Sequence, residues 1–402
     1  LSKIMARVSA LVFSTLQFGI AVWGCSLTFE NSIHSLRDFS ERISLDFDWF
    51  YISQAKDIAR LAFDFTGLSV VFWVLSTTLL MFVSYFAFIK QLSQKNDKAE
   101  YLSLPLAGAG TLAMLGASNF VTFLLGFCVG GFAGYFCILF TDPESKDQVK
   151  AGYRYLTSQF VTIGFLIVGM LCLFLTTGNL SFESIEKGTA EMTQNIIWEI
   201  GILSLILFSL FTGFQIPLMQ LSRFLMTANE SSLATLFLVH FLGATLLFGK
   251  LFISIQAFKL GSYFIFIPVL TALVASIQSM TESKSSRMIA ILASYFLSNA
   301  FISFLGGSYL AFETQVFYGA IALFFFSVAV LYLKNYQALL WIGLVVLVAA
   351  PFTGTGWARY LQYLHLVSAQ EEFQAVLWAA LSFKVLSDFI FVIGITSWVL
   401  EQ

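Results

Sequence analysis

The chain has 402 residues, of which 58% are hydrophobic and only 11% charged, with a mean hydropathy of +0.84. A soluble globular domain carries roughly 25% charged residues, so this composition excludes an aqueous fold and implies a polytopic membrane protein, which the lengths of its apolar runs make all-α. A net charge of -2 and a pI near 6.0 give no ground for a nucleic-acid partner.

A spanning helix needs about 20 mainly apolar residues. By that rule the sequence predicts about twelve transmembrane runs, near 4–25, 66–90, 104–118, 119–141, 155–177, 196–218, 233–256, 261–280, 287–307, 312–333, 336–352 and 373–399. The opening run follows Lys3 and Arg7, as the core of a signal peptide would, but with so many spans behind it the run reads as a first transmembrane helix. The first residue is Leu rather than Met, which leaves room for residues ahead of it. Between the first two runs, "SLDFDWFYIS" alternates apolar and polar residues as a strand or surface hairpin does. Segment 26–65 is therefore expected to cap the non-cytoplasmic face of one integral membrane domain over 1–402. The other polar stretches are 181–195 and the charged loops 91–103, 142–154 and 281–287. The 46 Phe residues, spread over the whole chain, suit lipid-facing surfaces better than one compact core.

Lys/Arg asymmetry in short loops sets orientation. With a cytoplasmic N-terminus, twelve loop Lys/Arg fall inside and seven outside, with Lys250 and Lys384 within helices, which favours that orientation. The four cysteines, Cys25, Cys128, Cys137 and Cys172, lie in or beside apolar runs without C-x-x-C spacing. They read as buried structural thiols, not as a metal site or a disulfide framework.

From residue 62 a series of motifs follows in order. "FDFTGLSVVFWVLSTTLL" is followed by "LGASNFVTFLLGFCVGGFAGYFCILF", with Gly126, Gly131 and Tyr135, and by "VKAGYRYLTSQFVTIGFLIVG", with Ala151, Gly152 and Tyr155. Next come "FTGFQIPLMQLSRFLMTANESSLATLFLVHFLGATLLFG", with Gln215, Pro217 and His240, then "TALVASIQSMTESKSSRMIAILASYFLSN", with Arg287, and "LVAAPFTGTGWARYLQYL", with Pro351, Gly354 and Gly356. Over roughly three quarters of the chain this order resembles the antiporter-like membrane subunits of respiratory complex I, Mrp-type cation/proton antiporters, membrane hydrogenases and inorganic-carbon uptake systems. It is most similar to the largest complex I antiporter-like subunit.

The resemblance implies two broken helices, at Pro217 and at Pro351, Gly354 and Gly356. It also implies a subunit of a multisubunit ion-translocating complex in the bacterial cytoplasmic membrane. Its partners would be other membrane subunits and the lipid bilayer, with no cofactor or metal of its own. Any catalysis would belong to a partner, as in an NADH:quinone oxidoreductase-like or inorganic-carbon uptake complex.

In that family a line of buried ionisable residues is thought to move protons. Each such charge costs about 2.5 kcal/mol or more at mid-membrane. Here the glutamate position is Cys128, a thiol with a reference pKa of about 8.5. The lysine before the first break aligns with Thr212, and the later lysine and its neighbouring histidine align near Gly319 and Gln315. At the second break the basic residue is Arg359, which cannot release its proton. Both prolines beside the first break are replaced, by Ser232 and Ala234.

Four ionisable residues inside apolar runs remain as relay candidates: His240, Lys250, Lys384 and Asp388. His240 titrates near neutrality and reads as a proton carrier or as a packing histidine. Lys250 reads as a relay member or as a side chain reaching for the interface. Lys384 and Asp388 are spaced i,i+4, so they share a helix face and can pair, for structure, for docking or for proton movement. Glu199 and Glu313 lie near the ends of their runs and suit the membrane interface.

Two functions fit these residues: a subunit coupled to proton or sodium movement, and a non-conducting scaffold that keeps the antiporter fold as an assembly surface. The chain offers no nucleotide loop, metal cluster or nucleophile with an adjacent base for an enzyme of its own. A carrier with its own central site is a weaker option, because the two break motifs are the sole hint of an internal repeat.

Overall fold

In hydrocarbon a spanning segment must satisfy its own backbone, and helices account for nearly all of the residues described in the computed structural model. Those residues are 3–32, 43–48, 60–65, most of 73–85, 100–141, 146–192, 195–213, 240–241, 243–258, 261–332, 354–368 and 374–401. Helix α1 (Lys3–Ser32) precedes an antiparallel hairpin of β1 (Ile43–Asp48) and β2 (Arg60–Phe65), in which Ile43 faces Phe65 and Asp48 faces Arg60. There follow α2 (Glu100–Gly116), α3 (Phe120–Thr141), α4 (Lys146–Thr177), α5 (Phe182–Met192) and α6 (Ile196–Thr212). Then come α7 (Gly243–Lys250), α8 (Phe252–Gln256), a 3-10 turn (Gly261–Ile265) leading into α9 (Phe266–Ser279), and α10 (Ser285–Leu305). Helices α11 (Tyr309–Tyr332), α12 (Gly354–Ser368) and α13 (Gln374–Glu401) complete the described chain.

The chain is a multi-pass integral membrane protein. Among the described residues, Phe120–Leu139, Lys146–Thr177, Arg287–Leu305 and Val376–Leu400 are helical stretches long and apolar enough to cross a membrane. Pro217, Pro351 and the predicted run 336–352 lie outside the described residues, whereas Gly354 opens α12 and Gly356 is buried within it. Three helices run into predicted non-spanning segments: α1 continues through residues 26–32, α2 starts at Glu100 inside the predicted loop 91–103, and α4 starts at Lys146 inside the predicted loop 142–154. Neither 26–32 nor 146–154 contains proline, and Asp147 in the first turn of α4 favours a helix start there.

The residues fall into two compact units, Leu1–Phe208 with Ala228–Leu246, and Ser209–Thr227 with Leu247–Gln402. In the first unit α2 and α3 touch backbone to backbone. A Cβ on Gly110 would lie 2.5 Å from the Gly130 nitrogen, and one on Gly126 would lie 2.8 Å from the Gly110 oxygen. This is the small-residue packing that brings membrane helices together when no hydrophobic force separates helix from lipid. The α2–α3 corner is tied to the hairpin and to the start of α5. Ser118 N donates to the Ala62 carbonyl at 3.0 Å, Phe120 N to Leu180 at 3.1 Å, and Asn119 Oδ1 caps α3 by accepting from Thr122 N at 2.9 Å.

Helix α4 is amphipathic with its polar side inward. Gln148, Tyr155, Ser158, Gln159 and Thr162 are buried, whereas Phe160, Val168, Leu171 and Leu175 are exposed. A membrane rewards this arrangement, because lipid accepts the apolar face and the polar groups find partners inside. Gly178, at φ +70°, turns the chain out of α4 in the left-handed conformation that glycine adopts freely.

In the second unit α10 is central, packed between α9 and α11, and its apolar stretch 288–305 is wholly buried. Many phenylalanines form cores instead of the expected lipid-facing surface. Phe248 stacks on Phe304 with centroids 4.3 Å apart, and Phe123 and Phe127 meet Phe208 at 6.0 and 5.1 Å. The physical reason is that aromatic pairs stabilise contacts beyond their buried area, which lipid tails cannot match.

Gly126→Leu is expected to lose about 1–3 kcal/mol or more of stability by overpacking α2 against α3. Gly164→Leu, at a site with nothing within 4 Å of the added Cβ, is expected to be tolerated. Thermal unfolding of both variants in mild detergent checks this.

Candidate functional site

The first unit buries a polar cluster. His240 Nε2 lies 2.9 Å from Tyr155 Oη and 3.1 Å from Gln159 Nε2, and the Tyr155 and His240 rings meet edge to face at 5.4 Å. Tyr155 and Gln159 are i,i+4 on the inward face of α4, so one helix supplies both partners. Gly131 of α3 makes room for the Gln159 amide: a Cβ there would sit 2.9 Å from Oε1.

The second unit buries a charged cluster. Lys384 and Asp388 pair within α13, as their i,i+4 spacing allows, and Lys384 is fully buried. Tyr295 of α10 donates its hydroxyl to Asp388 Oδ1 and Tyr363 of α12 donates to Oδ2, so the carboxylate accepts from three donors on three helices. The Lys384 ammonium also lies 5.5 Å from the Tyr295 ring centre and 5.7 Å from that of Tyr363. Arg359, also on α12 and buried, places its guanidinium 5.5 Å from the Tyr295 ring and 5.9 Å from Phe391, which stacks on Tyr295 at 3.8 Å. Ring faces offset part of the repulsion between the two cations. Beside the cluster Ser387 bonds Ser276 of α9 at 2.8 Å, and Gln362 reaches Gln315 of α11 at 3.4 Å.

The structure thus brings Lys384, Asp388 and Arg359 together in the second unit, and His240 belongs to the polar cluster of the first. Lys250 closes α7, half-buried, just before the helix is interrupted at Leu251 (φ -124°, ψ 29°). Cys128 is half-buried on α3 and Thr212 is fully buried at the end of α6. Gly319 packs against the Phe296 ring, which a Cβ would meet at 3.3 Å. Sequence reasoning missed Tyr295 and Tyr363. The available signal was "ARYLQYLH", where Arg359, Gln362 and Tyr363 share one face of an otherwise apolar helix.

Each unit thus buries a polar centre among apolar helices, and the class of protein to which such a chain belongs follows from its relatives. The NADH:quinone oxidoreductase/Mrp antiporter transmembrane family matches residues 117–339, more than half of the chain, and the protein belongs to that family. Cys128, Thr212, His240 and Gly319 fall inside the matched region, whereas Arg359, Lys384 and Asp388 lie beyond it. NADH-quinone oxidoreductase subunit N 1 of Symbiobacterium thermophilum is 28% identical over 109 residues, covering 27% of this chain and 22% of that protein. The fold is similar to that in the Mrp complex of Dietzia sp. DQ12-45-1b, with a TM-score of 0.76 and 12% identity over 99% of this chain and 47% of the other. It is also similar to that in the archaeal membrane-bound sulfane sulfur reductase, with a TM-score of 0.69 and 12% identity over 97% and 85% of the two chains.

Asp388→Leu strands two buried cations and is expected to lose about 3–5 kcal/mol of stability. The double variant Lys384→Met/Asp388→Leu removes the pair together and is expected to recover part of that loss. Unfolding midpoints of both in the same detergent measure the difference.

Proposed function

We propose that the chain is an antiporter-like subunit of a multisubunit ion-translocating complex in the bacterial cytoplasmic membrane, coupled to proton or sodium movement through its charged centre. The observation that carries this reading is the buried Lys384–Asp388 pair, held by Tyr295 and Tyr363 with Arg359 alongside. Charged groups at membrane depth are expensive and mark ion pathways more often than packing. Protons suit the centre better than sodium. Two cations flank a carboxylate that already accepts three hydrogen bonds, so a metal cation would meet Coulomb repulsion there. The similar proteins belong to an NADH-quinone oxidoreductase, an Mrp complex and a respiratory membrane complex, and partner subunits of comparable kind would supply the driving reaction.

A second reading, the non-conducting scaffold, draws on a different observation. At Gly319, where the family resemblance places a lysine, Phe296 occupies the adjacent space, and neither Cys128 nor Thr212 carries the expected charge.

The test is ion flux by the assembled complex in proteoliposomes, read with pH- and sodium-sensitive dyes. Asp388→Asn and Lys384→Met are expected to slow proton uptake by about tenfold or more, an effect of ~1.4 kcal/mol on the barrier, while assembly is unchanged. Unchanged flux in both, or lost assembly with Asp388→Asn, would favour the scaffold.

A further inference from the structure

Helix α4 is longer than a membrane is thick. Its 32 residues rise about 48 Å at about 1.5 Å each, whereas the hydrocarbon core measures about 30 Å. About 18 Å of the helix, or about twelve residues, therefore stands outside hydrocarbon. The excess lies at the N-terminal end, because all four charged residues of α4, Lys146, Asp147, Lys150 and Arg154, precede Tyr155, while Leu175 near the other end is exposed.

The outward face of α4 runs unbroken across that boundary. Lys150, Tyr153, Arg154 and Thr157 are exposed and share one side at i, i+3, i+4 and i+7. Phe160, Val161, Gly164 and Val168, also exposed, continue the same side into the apolar span. A Cβ on Gly164 would meet nothing within 4 Å, so between Val161 and Val168 the backbone lies bare in a notch one side chain deep. Arg154 stands about one turn outside the hydrocarbon, within a headgroup layer about 5–7 Å thick. Helical side chains lean toward the N-terminus, which carries the Arg154 and Lys150 cations outward to the level of the lipid phosphates. Tyr153 supplies the amphipathic ring that membrane interfaces favour, and Asp147 lies about a turn beyond Lys150, outside the headgroups.

Charge and depth together select the occupant. A zwitterionic lipid brings a cation of its own, which Lys150 and Arg154 repel, whereas phosphatidylglycerol brings only its phosphate. An acidic protein segment would answer the cations but leave the notch at Gly164, below the headgroups, unfilled. We propose that this face of α4 binds an anionic phospholipid, its phosphate between Arg154 and Lys150 and one acyl chain in the notch over Gly164. The site does not rest on ion movement by the chain.

The test places the intact chain in phosphatidylcholine vesicles containing a small fraction of phosphatidylglycerol with a photoreactive acyl chain, and maps the cross-link by mass spectrometry. The expected label lies on α4 between residues 157 and 168. It falls about tenfold or more in Lys150→Gln/Arg154→Gln, which removes two cations, and it leaves this segment in Gly164→Leu, with the unfolding temperature unchanged in both. Equal labelling by phosphatidylcholine carrying the same chain, or unchanged labelling in either variant, would overturn the proposal. So would loss of the label once the complex is assembled, which would assign the face to a partner subunit. Should a variant fail to fold, salt decides on the native protein. High salt weakens labelling that depends on charge, and labelling indifferent to salt overturns the site.

Discussion

A hydrocarbon surround offers no hydrogen bonds, and the disposition of polar groups in this protein depends on that fact. Polarity is drawn inward: α4 buries Gln148, Ser158, Gln159 and Thr162 and shows phenylalanine and leucine outside. Serines and threonines throughout the helices bond carbonyls one turn back, as Thr162 does to Ser158 at 2.6 Å and Ser298 to Ser294 at 2.8 Å. The same surround gives helices no hydrophobic reason to associate, so they associate by fit. The glycine contact of α2 with α3 and the phenylalanine clusters around Phe208 and Phe304 provide it.

The two units apply this constraint to different polar contents. The first has a centre of histidine, tyrosine and glutamine, in which the His240 ring nitrogen meets both the Tyr155 hydroxyl and the Gln159 amide nitrogen. The second holds full charges, and its geometry is correspondingly more demanding. Three helices converge on one carboxylate, and aromatic rings line the cations. A buried ion pair is seldom chosen for stability alone, since apolar residues of the same volume would serve as well or better.

Much of this was legible in sequence because composition and run length are direct consequences of the solvent. The helical, multi-pass character, strand structure within the 26–65 segment, the pairing of Lys384 with Asp388 and the family itself follow from such local signals. Helix ends were less legible, because a helix does not stop where hydrophobicity stops, as residues 26–32 and 146–154 demonstrate. The convergence of Tyr295, Tyr363 and Arg359 on Asp388 was not legible. It joins residues far apart in the chain, and a tyrosine in an apolar run reads as packing until the helix opposite is known. Phenylalanine misled for the opposite reason: its composition suits lipid and core equally, and only the tertiary contacts decide.

The position at Gly319 separates loss of charge from loss of polarity. Where the family resemblance places a lysine, α11 presents bare backbone to the Phe296 ring, so the space is packed and not merely vacated. One turn earlier on the same helix, Gln315 is buried and bonded to Gln362 of α12. Gln362 neighbours Arg359 on its own helix, and Arg359 neighbours the α13 pair through Tyr295 and Phe391. Compared with the pattern the resemblance implies, ionic character in the second unit is concentrated at α12 and α13, with amides linking it back to α11. A unit that had simply ceased to need buried polarity would have let apolar packing spread across this seam, since packing alone costs less than desolvating charge. Phe296 fills the place at Gly319, while the Gln315–Gln362 amides and the charges of α12 and α13 stay buried beside the aromatic packing of Phe304 on Phe312.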